Sequence, residues 1–182
     1  MREKFSRIRA FVFDWDGVFN TGEKTSSTGS SFSEVDSMGV NLLRFSYFLR
    51  TKSLPVSLII SGEKNQSAFY YSERENFSYS FYKVAHKAKA LEHLCALENL
   101  KPEEVCYFFD DVLDVPIAEK CGIRILVNQR ANALFIDYCI RQKLADYITG
   151  AQGGSFAVRE GAELLISLAC NYDEVVDARV KN

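Results

Sequence analysis

Ala10-Phe11-Val12-Phe13-Asp14-Trp15-Asp16-Gly17 decides how this chain is read. Four apolar residues in a row signal a short buried strand, and the run stops at an aspartate. Side chains alternate along a strand, so Asp14 and Asp16 lean to one side while Trp15 points elsewhere. Gly17 lets the chain turn. The pattern recurs downstream. Val56-Ser57-Leu58-Ile59-Ile60 ends at Ser61-Gly62, and Val105-Cys106-Tyr107-Phe108-Phe109 ends at Asp110-Asp111. Residues 123–127 give a fourth run and Tyr147-Ile148 a fifth. Continuous apolar runs of this kind suit parallel strands covered on both faces.

Helical patterns separate the runs, at residues 40–49, 87–97, 115–121, 134–143 and 156–170. In the second, Leu91, Leu94 and Cys95 recur at helical spacing. The third stops at Gly122, which fits a left-handed helix end. Residues 77–82 alternate aromatic and serine, the signature of a short strand. Strand and helix in alternation predict an α/β fold, a central parallel sheet flanked by helices. One domain is expected over 1–182, with a core at about 10–170 and a polar, partly free tail at 171–182. The polar stretch 20–33 interrupts the rhythm after the first strand. It reads equally as a β-hairpin flap or as a plain loop, and no insertion is large enough for a cap domain.

Composition narrows the function. Lys and Arg number 22 against 24 Asp and Glu, so no basic excess exists to neutralise a nucleic-acid backbone. The basic residues Arg2, Lys4, Arg7 and Arg9 read as a solvated segment. No run is long and apolar enough for a membrane span or a signal peptide. Five cysteines without a C-x-x-C pair suggest reduced thiols of a cytoplasmic protein. Two histidines, His86 and His93, leave little for a zinc site or a histidine-based triad.

The chemistry lies at the strand ends. In open α/β sheets ligands bind beyond the carboxyl ends of the strands. If the first and third runs are both central, Asp14, Asp16, Asp110, Asp111 and Asp114 converge there. Such crowding is unfavourable without a cation, and an all-oxygen set suits magnesium. Asp114 also fits a helix N-cap, a role compatible with supporting the site. Ser61 and Gly62 offer a hydroxyl and a backbone N–H to a phosphoryl oxygen. Lys87 opens a helix, where the helix dipole disfavours positive charge. A cation in that place is a candidate phosphate ligand, with Lys83 and Lys89 as competitors.

Asp14-Trp15-Asp16-Gly17-Val18, then Ile60-Ser61-Gly62, then Lys87, then Asp110-Asp111 with Asp114, resembles the haloacid dehalogenase phosphohydrolase superfamily over nearly the whole chain. The set is most similar to its small, capless 3-deoxy-D-manno-octulosonate 8-phosphate phosphatase branch. Asp36 and Gly39, residues 107–116, and Gly153-Gly154-Ser155-Phe156-Ala157-Val158-Arg159-Glu160 carry that further likeness. The resemblance implies a Rossmann-like fold. It implies Asp14 as nucleophile and Asp16 as acid and base. Magnesium would be held by Asp14, Asp16 and Asp110 with the Trp15 carbonyl. The phosphoryl group would be held by Ser61, Gly62 and Lys87, with Asp111 and Asp114 behind. It also implies a small phosphate ester as substrate and a homotetramer whose neighbouring subunits cover the site.

The sequence departs from that branch at four positions. Val35 and Glu63 stand where arginines are usual, and Phe109 and Phe156 where glycines are usual. Arginine suits a sugar-acid carboxylate, so the first pair bears on substrate. An inactive oligomerisation module, like those attached to sialic-acid-activating enzymes, is the alternative that Glu63, Phe109 and Phe156 raise. A phosphotransferase is a third reading, but it needs a cap to exclude water.

Overall fold

The computed structural model describes residues 1–25 and 29–181. Six strands form one parallel sheet: β1 (Ala10–Asp14), β2 (Val56–Ile60), β3 (Tyr79–Phe81), β4 (Val105–Phe109), β5 (Ile123–Asn128) and β6 (Tyr147–Gln152). Their spatial order is β3-β2-β1-β4-β5-β6. The chain leaves β1 toward β2 on one side and returns to β4 on the other. The crevice beyond β1 and β4 is therefore the topological switch point, where such sheets bind ligands.

Eight helices accompany the sheet among the described residues. They are α1 (Arg2–Phe5), α2 (Glu34–Thr51), α3 (Gln66–Arg74), α4 (Lys87–Glu98), α5 (Val115–Ala118), α6 (Ala133–Arg141), α7 (Ala157–Ala169) and α8 (Tyr172–Val180). Every residue of β1 and β4 is buried, which is why these strands read as unbroken apolar runs. Alternation splits them between two cores. Phe11, Phe13, Cys106 and Phe108 pack with α2, α3 and α7, and Phe13 stacks on Phe108 with centroids 4.8 Å apart. Val12, Tyr107 and Phe109 pack with α4, α5 and α6 on the other face. The bulky Phe109 thus lies in the core, stacked on Tyr107, and turned away from the crevice.

Several expectations change. Helix α2 begins six residues before position 40, because the Ser33 hydroxyl caps it by accepting from Val35 N at 3.0 Å. Helix α3 had no counterpart in the sequence reading. The stretch from 171, expected to be partly free, folds into α8. Val175 is buried there, and Asn171 exchanges hydrogen bonds with Ser46. Gly122 does not adopt the left-handed conformation. It is needed for space, since a Cβ there would lie 1.9 Å from the Glu103 carbonyl oxygen. The expected flap at 20–33 falls partly on residues 26–28, outside the described residues. Its described part contains one antiparallel bridge, Thr25 to Gly29. Among the described residues no helix is long and apolar enough to cross a membrane.

Candidate active site

Asp14 ends β1 opposite Ile60, so Ser61 follows one residue beyond its neighbour on β2. On the other flank Phe13 pairs with Phe108, which brings Asp110 to the same rim. The turn after Asp14 is closed by Trp15, whose carbonyl accepts from Val18 N, Phe19 N and Asn20 Nδ2. Those bonds use its lone pairs, so the expectation that this carbonyl holds magnesium is corrected. The Trp15 ring points into the core, stacked on Phe19. Gly17, at φ +84°, backs onto Asp110: a Cβ there would lie 1.9 Å from Asp110 Oδ2. Only glycine lets the loop and the second acidic strand approach this closely.

One carboxylate oxygen from each of Asp14, Asp110 and Asp114 lies within 4.8 Å of the others. Lys87 Nζ sits among them, 2.6 Å from Asp14 Oδ1 and 2.6 Å from Asp114 Oδ1. The first turn of α4 carries no acid and His86 gives it no side-chain cap, so Lys87 takes its counter-charges from other elements. Lys83 and Lys89 are exposed.

One lysine does not neutralise three buried acids. Burial pushes the Asp14 carboxyl up to about 7; the charge of Asp114 adds to this and Lys87 opposes both. Burial likewise pushes Asp110 up to about 8, reinforced by Asp14, Asp114 and Asp111. For Lys87, burial pulls downward, but Asp14 and Asp114 outweigh it and hold the ammonium above its ordinary value. Asp110 Oδ1 is buried without a hydrogen-bond partner. A hard divalent cation fits this set, since the donors are all oxygen and one of them lacks any partner. Asp114 is less open to an ion. Its Oδ1 also accepts from the buried Tyr107 hydroxyl at 2.6 Å, and Oδ2 accepts from Asp111 N. It does not cap α5. Asp111 is exposed, and its carboxylate accepts from Val112 N.

Asp16 stands apart from this group. Its Oδ2 pairs with Lys24 at 2.8 Å, and Asn65 Nδ2 donates to its Oδ1. The Ser61 N–H is committed to the Phe81 carbonyl of β3, and its buried hydroxyl accepts from Glu63 N at 3.4 Å. Gly62 fronts open space. The late signature acts on the site from behind. A Cβ on Gly153 would lie 1.9 Å from the Gly17 carbonyl, which also accepts from Gln129 Nε2 at 2.6 Å. Arg159 N, at the start of α7, donates to the buried Asp36 carboxylate. Tyr107, Gln129, Lys24 and Asn65 were missed in the sequence. Of these, Asn65 alone had a local signal, an Asn just before a helix.

No protein-family model matches the chain. A 3-deoxy-D-manno-octulosonate 8-phosphate phosphatase of Escherichia coli K12 is 30% identical over 174 residues, 94% of this chain and 86% of that protein. The chain belongs to this family of haloacid dehalogenase phosphatases. The family member from Yersinia pestis is 26% identical, over 90% of this chain and 82% of its own length. Solved structures agree on the fold. One from Pseudomonas syringae, described as a probable YrbI family phosphatase, superposes with TM-score 0.81 at 27% identity, covering 100% and 97% of the two chains. The octulosonate 8-phosphate phosphatase of Moraxella catarrhalis, solved with magnesium, phosphate and the sugar acid, gives TM-score 0.78 at 23% identity, covering 97% and 96%.

Proposed function

We propose that this phosphatase hydrolyses a small sugar-acid phosphate of the 3-deoxy-D-manno-octulosonate 8-phosphate type, through a phosphoryl group carried on Asp14. The observation that carries the reading is Lys87 bridging Asp14 and Asp114 beside the unpartnered oxygen of Asp110. Asp14 and Asp110 would hold magnesium. The Asp16 carboxylate is engaged by Lys24 and Asn65, so its share falls to its backbone carbonyl. The ion neutralises charge on the transferring group, which is most of what phosphoryl transfer requires.

The chain's own groups do the rest. An Asp14 oxygen attacks phosphorus and the ester P–O bond breaks. A protonated Asp16 gives its proton to the departing oxygen, leaving an alcohol and an aspartyl-phosphate. Asp16, now a carboxylate, takes a proton from water as that water attacks phosphorus. Inorganic phosphate leaves, and both carboxyls return to their starting states. Ser61 Oγ, the Gly62 N–H and Lys87 bind the non-bridging oxygens. Asp114 and Asp111 hold Lys87 and the turn behind Asp110.

Among the described residues nothing forms a cap domain, so we propose that neighbouring copies cover the crevice, within a homotetramer. Exposed apolar residues such as Val35, Met38 and Phe156 are compatible with subunit contacts. The free, mostly buried cysteines suit a cytoplasmic enzyme. Glu63, Phe109 and Phe156 raise the inactive-module alternative, and the acidic set of Asp14, Asp16, Asp110 and Asp111 argues against it. Val35 and Glu63 point to a carboxylate recognised differently from the usual arginine pair.

Phosphate release from a panel of octulosonate, nonulosonate and simpler sugar phosphates tests the reading. Turnover is expected with magnesium and none with chelator. A wild type no more active than Asp14→Asn on every member would rule the enzyme out.

A further inference from the structure

The two oxygens of Asp16 are held by partners of opposite character. Lys24 reaches Oδ2 from a side chain that is 39% exposed, where water competes for it. Asn65 donates to Oδ1 at 3.3 Å and is 5% exposed. Its amide is locked. Oδ1 of Asn65 accepts from Ser67 N at 3.1 Å and Ala68 N at 3.4 Å, capping α3. A flip would set the amide NH2 against those two N–H donors, so the orientation is fixed. Nδ2 must then point away from the helix, and it donates to Ser30 Oγ at 2.5 Å as well as to Asp16. Ser30 Oγ is itself anchored, accepting from the indole of the buried Trp15 at 2.8 Å. The amide thus ties three segments together: the turn after β1, the end of the polar insertion and the start of α3.

We propose that Asn65 is a positioning residue for Asp16, fixing Oδ1 so that Oδ2 can exchange Lys24 for the leaving oxygen of the substrate. The inference rests on the reading of Asp16 as the acid and base. Its consequence is specific. A pinned acid matters for a leaving group that needs a proton and little for one that does not. Asn65 therefore controls turnover of alkyl phosphates, such as sugar phosphates, more than of nitrophenyl phosphate.

The test compares kcat/KM for an alkyl phosphate and for p-nitrophenyl phosphate, using the full chain with magnesium. This constant covers the steps up to loss of the leaving group. Asn65→Ser keeps an acceptor for the helix cap but cannot reach Asp16. Positioned acid–base groups are worth roughly 10²–10⁴-fold, so a drop of about 10- to 100-fold is expected on the alkyl ester, carried by kcat, with a far smaller drop on the aryl ester. Asp16→Asn should skew the ratio the same way and further. If Asp16→Asn leaves the ratio unchanged, the reading of Asp16 itself fails. If Asp16→Asn skews it and Asn65→Ser does not, or lowers both substrates equally, Asn65 is structural only and the proposal is overturned. Should Asn65→Ser melt below the assay temperature, Asn65→Asp keeps the cap acceptor while losing the donor. The same selective loss is then expected, and an equal loss or none overturns the assignment.

Discussion

Lys87 carries one charge against three buried acids, and this imbalance sets what single substitutions do. Lys87→Met strands Asp14 and Asp114. Breaking a buried pair from one side costs about 3–5 kcal/mol, so urea unfolding at pH 8 should show a loss of that order. The loss should shrink at pH 5, where Asp14, raised to about 7, can take up a proton instead. Activity should fall about 10²–10³-fold, the usual effect of losing one donor to developing charge. Phe156 makes a separate case. It holds φ +72° as the residue before α7, a conformation that favours glycine, and its side chain is 49% exposed. A left-handed L-residue costs roughly 1–2 kcal/mol, which Asn tolerates better. Phe156→Asn should raise stability by about 1 kcal/mol in dilute protein. Destabilisation that grows with protein concentration would instead assign the ring to a subunit contact.

Elements explain why some of this was legible in sequence and some was not. Strands β1, β2, β4 and β5 announced themselves because both sheet faces are covered, which leaves an apolar run that stops at the crevice. The aspartates at the ends of β1 and β4 could be read for the same reason. Helix α3 gave no such pattern: it buries Ala68 and Tyr71 while Phe69 and Tyr70 stay exposed. Helix α8 depends on Asn171 meeting Ser46, a contact across the sequence that no local periodicity encodes. Tyr107 looked like an ordinary strand residue, and only the fold brings its hydroxyl to Asp114. The late Gly-Gly pair was visible as a motif, but its purpose came from packing. Gly153 presses on the Gly17 carbonyl and Gly17 presses on Asp110, so the turn after β6 sets the spacing of the acids. Gly153→Ala should therefore push the loop through Asp110. An expected fall in kcat of about 10²-fold corresponds to a misplacement near 1 Å. Activity within threefold of wild type would show that the loop yields without moving the site.

At the scale of the whole molecule, the sheet order concentrates negative charge at one rim, and the fold bears the cost when no cation is bound. Asp14 and Asp110 have folded values of about 7 and about 8 against an ordinary 3.8. Between those limits the folded state holds more protons than the unfolded chain, so metal-free stability falls as pH rises. A divalent ion displaces those protons, so its stabilising effect should grow from pH 6 to pH 8. At a hundredfold excess over Kd it is worth about 2.7 kcal/mol, or roughly 5–10 °C in Tm for a domain of this size. A magnesium shift that is absent, or larger at the lower pH, would count against the acidic cluster as the ion's site. Light scattering addresses assembly: a tetramer is expected at working concentration, and a monomer that remains fully active would remove the need for neighbouring copies.

The most direct measurement is the fate of the phosphoryl group. The enzyme is mixed with substrate and magnesium, quenched in acid during turnover, and digested for mass spectrometry. The peptide containing Asp14 should carry one added phosphoryl group, absent in Asp14→Asn and absent without magnesium. Steady phosphate release with no label on that peptide, at a rate Asp14→Asn leaves unchanged, would contradict covalent catalysis at the end of β1.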